Sequence, residues 1–476
     1  MDRREFLVRT GQLGTLAFGL SSPWSASQIF GQEAKEPRQP ATGPLRTSAK
    51  NPRYFCDAGG RPILLVGSHT WNSLVDMGRS DPPEVFDFEA YLDFLGRYGH
   101  NFIRLWTWDS TTLDTHANGR LGKDFIHHVA PLPWLRTGPG VALDGKLKFD
   151  LKQFNPAYFE RLRQRVRAAG RRGIYVSVML FEGWGLMHGN RRRGTKPEWA
   201  WRSHPFHPDN NSSGIDAGEK VHSRAHPAVN AIQAAYIRKV VDAVNDLDNV
   251  LYEVINEGGE KEWDWWVVET VRQYERTQPH QHPIGITGHG AERLESMLAS
   301  PADWISPGSQ DGYKDDPPAW DGKKVSLLDT DHVWGVGGNG AWVWKSLMRG
   351  HNPLFMDPYD GAVLGNRFDP QWEPIRRNLG HALRLARRWD LAAMTPQDDL
   401  ASTKYCLADP ANAYAVYIPT GGKAKVSLGQ AKNRFAVEWI HPSTGKAVAG
   451  DAVTGGADHE FAAPFDGDAV LYLSRS

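Results

Sequence analysis

Eight short apolar runs, each ending in polar or aromatic residues, recur between residues 62 and 359 of this 476-residue chain. Segments with helical spacing separate many of them, as in residues 156–173, where Phe159, Leu162 and Val166 share one helix face. Strands that alternate with helices favour a parallel sheet, and eight such units predict an α/β fold, the (β/α)8 TIM barrel. The runs are PILLVGSHTW (62–71), NFIRLWTWD (101–109), GIYVSVMLFEGW (173–184), NVLYEVINE (249–257), PIGITGHG (283–290), DWISPGSQ (303–310), KVSLLDTDH (324–332) and NPLFMDPY (352–359).

The composition changes near residue 396. From there to the end of the chain, short β-prone runs alternate with turns that contain glycine, proline and asparagine, which is typical of a small all-β sandwich domain. We therefore predict a barrel over residues 51–395 and a β-sandwich over residues 396–476. The two cysteines, Cys56 and Cys406, are too few for a disulfide framework, and both one long-range bridge and two free thiols agree with the sequence.

The N-terminal segment has the features of an export signal. The letters RREFL at residues 3–7 resemble a twin-arginine signal, and a short apolar stretch and small residues follow. We predict a signal peptide over residues 1–27 and a flexible linker over residues 28–50, which places the mature protein in the periplasm or outside the cell. An ordinary N-terminal helix is the alternative. The apolar stretch is too short to span a bilayer, and no cysteine follows it that could carry a lipid anchor.

The charge balance argues against some classes of partner. Lysine plus arginine and aspartate plus glutamate both total 55, so the formal net charge is zero. A chain without a basic excess has no electrostatic reason to bind nucleic acid or an anionic membrane surface. Tryptophan is abundant, with 19 residues, and surplus indoles are either large core side chains or stacking surfaces for a ligand. The sequence indicates no particular oligomeric state.

In a barrel, the side chains at the carboxyl ends of the strands converge on one mouth, where the active site lies. Carboxylates and indoles are frequent at the ends of the eight runs. Indole faces stack on the C–H faces of sugars, and carboxylates bind hydroxyls and supply acid–base groups. The sequence therefore predicts a carbohydrate substrate. The predicted mouth residues are His69, Trp71, Arg104, Trp106, Trp108, Asp109, Glu182, Trp184, Asn256, Glu257, His289, Asp329, Asp331, His332, Trp334, Asp357 and Tyr359.

The run LYEVINE ends on Asn256 and Glu257. A carboxylate at the end of a buried strand is costly unless it has a function there. Glycoside hydrolysis needs two carboxyl groups that flank the scissile bond, one protonated and one ionised. Glu257 and an aspartate of the seventh run, Asp329 or Asp331, could form that pair. A salt-bridged, purely structural Glu257 is the alternative.

The motif EVINE resembles the Asn-Glu pair of the large clan of retaining (β/α)8 glycoside hydrolases. In that clan the glutamate is the acid/base, the asparagine contacts the sugar 2-hydroxyl, and the second carboxylate ends strand seven. The resemblance implies that Glu257 is the acid/base, that Asn256 binds substrate and that Asp329 is the nucleophile. The motifs NFIRLWTW, VSVMLFEGW, VINE and FDGDAVLYL resemble the apiosidase-like glycosidases over nearly all of residues 51–476. Those proteins carry a small C-terminal β-domain that is described as collagen-binding.

The chain departs from that clan on strand seven, where the clan has glutamate and this chain has Asp329. Aspartate is one methylene shorter, so its carboxylate lies roughly 1.5 Å further back. Asp331 is therefore the alternative partner of Glu257, with Asp329 behind it. Retaining enzymes hold their carboxyl groups about 5–5.5 Å apart and inverting enzymes about 6.5–9.5 Å apart. We expect retention.

Some of these residues also have structural interpretations. Glu253 lies on the same strand face as Glu257 and points into the barrel, where Arg104 could neutralise it, so we expect that pair to be structural. Asp109 and Glu182 either bind hydroxyls or cap loops. The C-terminal domain is expected to pack on the barrel, with binding of a glycan or a matrix protein as the alternative. The histidines show none of the spacings of metal sites, so we expect no metal and no cofactor.

Together, these features predict an exported glycoside hydrolase that cleaves O-glycosidic bonds of a poly- or oligosaccharide with two carboxyl groups. Two alternatives stay open. One is a barrel that binds a glycan without cleaving it, as a surface adhesin, which a separation of Glu257 from both Asp329 and Asp331 above roughly 10 Å would favour. A metal-dependent hydrolase on the same barrel predicts a bound transition metal.

Overall fold

The computed structural model describes residues 39–115, 126–186, 201–288, 291–308, 312–361 and 363–476. The predicted signal peptide, residues 28–38 of the predicted linker and His289 lie outside these ranges. Within them, no helix is both long and apolar enough to cross a membrane.

Eight parallel strands, one from each predicted run, form the sheet of the barrel. The hydrogen-bonded order is β1-β8-β7-β6-β5-β4-β3-β2, so strands that are adjacent in the sheet also follow one another along the chain. The predicted (β/α)8 barrel is therefore confirmed. The strands are β1 Gly67–His69, β2 Phe102–Leu105, β3 Tyr175–Glu182, β4 Val250–Asn256, β5 Ile284–Thr287, β6 Trp304–Ser306, β7 Val325–Asp329 and β8 Asn352–Met356.

Helices follow strands β1 to β5, β7 and β8. The second helix begins where the sequence predicts, because Asn155 caps it by accepting the Ala157 N–H and Pro156 occupies its first turn. All residues of β3 and β4 are buried, as expected for parallel strands with helices outside and side chains filling the barrel inside. The helices are α1 Phe88–Tyr98, α2 Pro156–Arg171, α3 Pro227–Val244, α4 Lys261–Glu275, α5 Ala291–Ala299, α6 Gly340–Met348 and α7 Glu373–Ala386.

The barrel closes between β1 and β2 through Asn101, the residue that precedes β2. Its side-chain oxygen accepts the Val66 N–H over 2.9 Å, and its amide nitrogen donates to the Leu64 carbonyl over 2.9 Å. Its own N–H donates to the Val66 carbonyl over 3.0 Å. The two chains approach so closely here that a Cβ on Gly67 would lie 1.9 Å from the Phe102 carbonyl oxygen. Asn101 and Gly67 therefore form the seam of the barrel.

Insertions at the carboxyl ends of the first strands build one wall of the mouth. Strand Ile126–Ala130 pairs with both Asp76–Gly78 and Thr112–Asp114, and Trp134–Val141 pairs with Leu147–Phe154 as a hairpin. At the opposite end, Arg46–Thr47, Phe55–Cys56 and Pro62–Ile63 form a small antiparallel sheet.

The C-terminal residues form antiparallel sheets, as predicted. One sheet has the order β9-β10-β11-β16-β13-β14, and β12 pairs with β15 in a second, two-stranded sheet. Both cysteines are free thiols, and Cys406 is buried in β10. The strands are β9 Thr395–Pro396, β10 Cys406–Asp409, β11 Ala413–Ile418, β12 Lys423–Ser427, β13 Arg434–Ile440, β14 Ala447–Thr454, β15 Asp458–Ala462 and β16 Ala469–Arg475.

The six-stranded sheet is covered on both faces, because alternate residues of its strands point to opposite sides. On one face, Tyr414 and Val416 share a core with Phe461 of the two-stranded sheet. On the other face, Tyr417 shares a core with Trp344 of α6, and Leu379 of α7 belongs to the same core. Residues 39–476 accordingly form one compact unit, and the domain boundary at residues 395/396 stays a prediction.

Substitution Gly67→Ala tests the seam. We expect it to lower the free energy of unfolding by about 3 kcal/mol, because the new methyl group overlaps backbone atoms that cannot move without opening the barrel. The measurement is urea denaturation followed by circular dichroism. The matched control is Gly96→Ala in α1, where a Cβ meets no other atom within 4 Å and a change of less than about 1 kcal/mol is expected. Equal effects of the two substitutions would contradict this account of closure.

Candidate active site

Glu257 directly follows strand β4 and has a strained backbone. Its φ is +46°, and among the non-glycine residues of the described ranges only Lys404 also has a positive φ. This conformation costs a residue with a Cβ roughly 1–2 kcal/mol, and such strain concentrates at functional sites. The Gly183 N–H donates to the Asn256 carbonyl over 2.9 Å, which holds the turn against the end of β3. Glu257 is therefore held at the mouth by its neighbours, as the sequence predicts.

Asp331 reaches the mouth on a short helical turn, Thr330–Val333, that follows β7. A carboxylate oxygen of Asp331, one of Glu257 and a ring nitrogen of His332 lie within 4.8 Å of one another. Burial, with the charges of Glu257 and Asp329, raises the pKa of Asp331 to about 8 although Arg104 opposes the rise. Asp331 therefore keeps a proton near neutral pH, directly beside Glu257.

Asp329 lies deeper in the barrel and is fully buried. Its carboxylate accepts the Asp331 N–H over 3.0 Å, which caps the helical turn, and lies 2.8 Å from His69 Nε2 and 3.1 Å from Arg104 Nη1. Burial alone would raise the pKa of Asp329, but the contacts with His69 and Arg104 outweigh it and hold the pKa well below its ordinary value. The two aspartates that the sequence left as alternatives thus have different surroundings: Asp329 is an ionised anchor and Asp331 faces Glu257.

Arg104, on β2, is the cation that holds these carboxyl groups. Its guanidinium makes a two-point contact with Glu253, over 2.6 and 3.0 Å, as the sequence predicts. It also donates to Asp331 over 2.8 Å and to the side-chain oxygen of Asn256 over 2.7 Å. Arg104 is only 1% exposed, so it acts as part of the barrel interior and positions the mouth from below.

His69 and Trp106 form a hydrogen-bonded chain to Asp329. The indole N–H of Trp106 donates to His69 Nδ1 over 2.9 Å. Because an indole nitrogen can only donate, Nδ1 carries no proton and the ring donates from Nε2 to Asp329. Both side chains are buried. The predicted substrate contacts of His69 and Trp106 are therefore replaced by a supporting role beneath the carboxylates.

Asn256 and His332 are joined at the floor of the mouth. The side-chain oxygen of Asn256 accepts from Arg104, which can only donate, so this oxygen is also the acceptor for His332 Nε2 at 3.3 Å. His332 Nδ1 lies 2.7 Å from the Ser306 hydroxyl. A hydrogen bond from Asn256 to a substrate would consequently come from its amide nitrogen.

The predicted indoles divide into buried and accessible side chains. Trp71 and Trp108 are 3% and 2% exposed, and the Trp108 N–H donates to the Trp71 carbonyl over 3.0 Å. Trp184 is partly exposed and packs on Trp71 with ring centres 5.1 Å apart. Trp334 is also partly exposed and packs edge-on against Trp342. Trp184 and Trp334 are therefore the indoles that remain available for stacking.

Asp109 and Glu182 lie together beside Glu257. Both oxygens of Glu182 accept the Gly185 N–H, at 2.9 and 3.2 Å. Burial, followed by the charge of Asp109, raises the pKa of Glu182 well above its ordinary value, and Glu257 adds to the effect. Asp109 accepts from His222 Nε2 over 2.9 Å. Sequence analysis missed His222, because it lies in the long segment between β3 and α3 and far from any strand end.

Two predicted mouth residues have other partners. Asp357 is fully buried, and Arg376 of α7 binds it through two nitrogens, one of them 2.8 Å away. Tyr359 is 5% exposed and packs against the rings of Tyr91 and Phe94. Both side chains therefore connect the end of β8 to the surrounding helices.

Glu257, Asp331 and His332 are the one set in the described part of the chain whose donor atoms could hold a metal ion. Two carboxylates and an imidazole are suitable zinc ligands. However, His332 Nε2, the ring nitrogen 3.6 Å from Asp331, must carry a proton to donate to Asn256. A protonated nitrogen cannot bind a metal. The set is therefore better suited to acid–base chemistry than to metal binding.

Comparison with known proteins supports this architecture. A family model described as the apiosidase-like catalytic domain matches residues 49–211, a stretch that includes His69, Arg104 and Glu182 but ends before Glu257. No curated protein sequence matches the chain.

Solved structures share the fold at low sequence identity. A glycoside hydrolase is similar with a TM-score of 0.56 and 13% identity, covering 91% of this chain and 97% of its own. A glycoside hydrolase family 5 protein from Bacteroides vulgatus is similar with a TM-score of 0.59 and 12% identity, covering 90% of this chain and 93% of its own. Identities this low establish the fold alone.

Substitution Arg104→Gln tests the central cation. We expect the free energy of unfolding to fall by about 3–5 kcal/mol, because buried carboxyl groups lose the guanidinium that contacts them. Arg163→Gln is the matched control: Arg163 pairs with Asp246 on the surface, where the side chains are 33% and 59% exposed, and such pairs contribute less than about 1 kcal/mol. Chemical denaturation of both variants provides the comparison, and a loss below about 1 kcal/mol for Arg104→Gln would refute the assignment.

Proposed function

We propose that this protein is a glycoside hydrolase in which Glu257 and Asp331 are the two catalytic carboxyl groups. The observation that carries the proposal is their approach within 4.8 Å at the carboxyl end of a (β/α)8 barrel. A separation beyond roughly 10 Å would have favoured a non-catalytic glycan-binding barrel, and the Glu257–Asp331 approach is shorter. The apiosidase-like match over residues 49–211 and the glycoside hydrolase neighbours agree with the proposal.

The separation supports a retaining reaction. Retaining pairs lie about 5–5.5 Å apart, whereas inverting pairs need about 6.5–9.5 Å to admit a water molecule between sugar and base. The nearest oxygens of Glu257 and Asp331 are within 4.8 Å, which suits the shorter class. Asp329 at the end of β7 would be too short to reach this distance from Glu257. Asp331 reaches it because the turn Thr330–Val333 places it closer to Glu257.

Each carboxyl group has a distinct role in this mechanism. Glu257 protonates the leaving glycosidic oxygen, while Asp331, held by Arg104, attacks the anomeric carbon and forms a glycosyl ester. The reaction requires Asp331 as the anion, which the Arg104 contact stabilises, and a proton on Glu257. In the second step Glu257 removes a proton from a water molecule, whose oxygen attacks the anomeric carbon and breaks the ester to Asp331. The sugar is released with its original anomeric configuration.

The surrounding residues supply substrate binding. The amide nitrogen of Asn256 can donate to a sugar hydroxyl, and the partly exposed face of Trp184 can stack on a sugar ring. We also propose export by the RREFL signal, which would place the enzyme where glycans are available. The β-sheets of residues 396–476 share a core with α6 and α7, which supports a structural role for them.

Loss of either carboxyl group should abolish hydrolysis. We expect Glu257→Gln and Asp331→Asn each to reduce kcat/KM about a thousandfold or more, measured on aryl glycosides and a panel of plant, algal and microbial glycans. Glu262→Gln, an exposed change in the first turn of α4, should leave kcat/KM within twofold. Full activity of a folded Glu257→Gln protein would remove this residue from the chemistry.

The stereochemical outcome is tested by proton NMR of the first turnovers. We expect the product to appear first as the anomer of the substrate, since the carboxyl groups are too close for a direct attack by water. An inverted first product would contradict retention while leaving the two-carboxylate assignment intact.

The pH profile tests the ionisation of Asp331. Because burial raises the pKa of Asp331 in the free protein to about 8, most Asp331 side chains are protonated below that pH and are the attacking anion above it. We therefore expect kcat/KM to rise by about tenfold per pH unit up to about pH 8. Initial rates at low substrate concentration between pH 6 and pH 10 would measure it. A profile that is level between pH 6 and pH 8 would show that ionisation of Asp331 does not limit the reaction.

A further inference from the structure

His222 joins three segments that end at the mouth. Its ring nitrogen Nε2 binds Asp109, which follows β2, over 2.9 Å. Its backbone carbonyl accepts the Glu260 N–H over 3.0 Å, and Glu260 lies three residues beyond Glu257. His222 itself belongs to the segment between β3 and α3. One residue therefore ties the acid-bearing loop after β4 to the carboxylate after β2.

The His222 ring is held firmly in place. Its centre lies 5.1 Å from Trp263 and 5.9 Å from Phe181, and the side chain is 7% exposed. A ring packed in this way cannot turn without disturbing the core beneath α4. The direction of its Nε2–H bond is thus set before any ligand arrives, which reduces the entropy lost on binding.

Asp109 is the more accessible member of the pair. Its side chain is 15% exposed, whereas the preceding Trp106 and Trp108 are nearly buried. The contact with His222 involves Oδ2, and a carboxylate has acceptor capacity on both oxygens. With Oδ2 oriented by an imidazole, Oδ1 is suited to accept a hydrogen bond from a hydroxyl group of a bound sugar.

The neighbouring Glu182 complements this arrangement. Burial, then the charge of Asp109, raises the pKa of Glu182 well above its ordinary value, which favours the neutral form of Glu182 beside Asp109. A carboxylate accepts a stronger hydrogen bond from a hydroxyl group than a neutral oxygen does.

We propose that His222 is a positioning residue that orients Asp109 to bind a substrate hydroxyl next to the Glu257–Asp331 pair. The proposal rests on the glycoside hydrolase function only in naming the ligand as a sugar. It assigns to His222 a role in substrate affinity that is separate from the chemical step, because His222 touches neither reacting carboxyl group in the contacts described.

The test uses His222→Phe, which keeps a packed ring but removes the donor, and His222→Gln, whose amide can replace Nε2. On the aryl glycoside that the full-length protein hydrolyses best, we expect His222→Phe to raise KM about tenfold with kcat within threefold, and His222→Gln to recover most of the loss. His226→Phe, in the same loop four residues later, should leave both constants unchanged. Thermal unfolding of each variant verifies the fold.

A double-mutant cycle shows whether His222 acts through Asp109. Combining His222→Phe with Asp109→Asn should raise KM no further than Asp109→Asn alone, since the carboxylate that His222 orients is already gone. Additive effects, or an unchanged KM in His222→Phe, would overturn the proposal while leaving the glycosidase intact. If His222→Phe does not fold, His222→Gln and Asp109→Asn still decide, because a positioning role predicts near-parent KM for the first and a raised KM for the second.

The outcome also separates this proposal from the enzymatic one. If the parent protein hydrolyses nothing but binds members of a glycan array, weaker binding by a folded His222→Phe protein supports the positioning role and rejects catalysis. Unchanged binding by that variant, or a parent protein that neither cleaves nor binds any glycan, overturns the positioning role.

Discussion

One buried cation, Arg104, determines the charge state of the whole mouth. It contacts Glu253, Asp329 and Asp331 from inside the barrel, and three carboxyl groups around one guanidinium cannot all stay ionised in a buried site without a large electrostatic cost. The inner carboxylates are compensated, Glu253 by two contacts with Arg104 and Asp329 by Arg104 together with His69. The proton that balances the remainder is held by Asp331, beside Glu257 at the mouth.

The two aspartates of the sequence DTD lie only two residues apart, but their surroundings differ. Asp329 ends β7 inside the barrel, where it caps the following turn and accepts from His69. Two residues later, the helical turn has carried Asp331 to the rim beside Glu257. An aspartate in place of the clan's glutamate is thus compatible with a glycosidase geometry. The turn after β7 brings the Asp331 backbone close to Glu257, which offsets the shorter side chain.

The walls of the mouth depend on connections between loops more than on the strands. His222 joins the loops after β2, β3 and β4, and the hairpin Trp134–Val141 and Leu147–Phe154 extends the wall after β2. The C-terminal sheet shares a core with α6 and α7, so it supports the helices that follow β7 and the last strand β8.

The sequence by itself determined the barrel, the order of its eight strands, the antiparallel character of the C-terminal residues, the position of Glu257 and Asn256 at the end of β4, and the pairing of Arg104 with Glu253. These follow from local periodicity and from the rule that parallel strands present their ends at one edge. Only the tertiary structure placed Asp329 inside the barrel and Asp331 beside Glu257, joined Asp357 and Tyr359 to the helices, and brought His222 to Asp109. Those outcomes depend on the direction of individual turns and on contacts between distant loops. Both are set by packing between residues that are far apart in the chain, so they leave no periodic signal in the sequence.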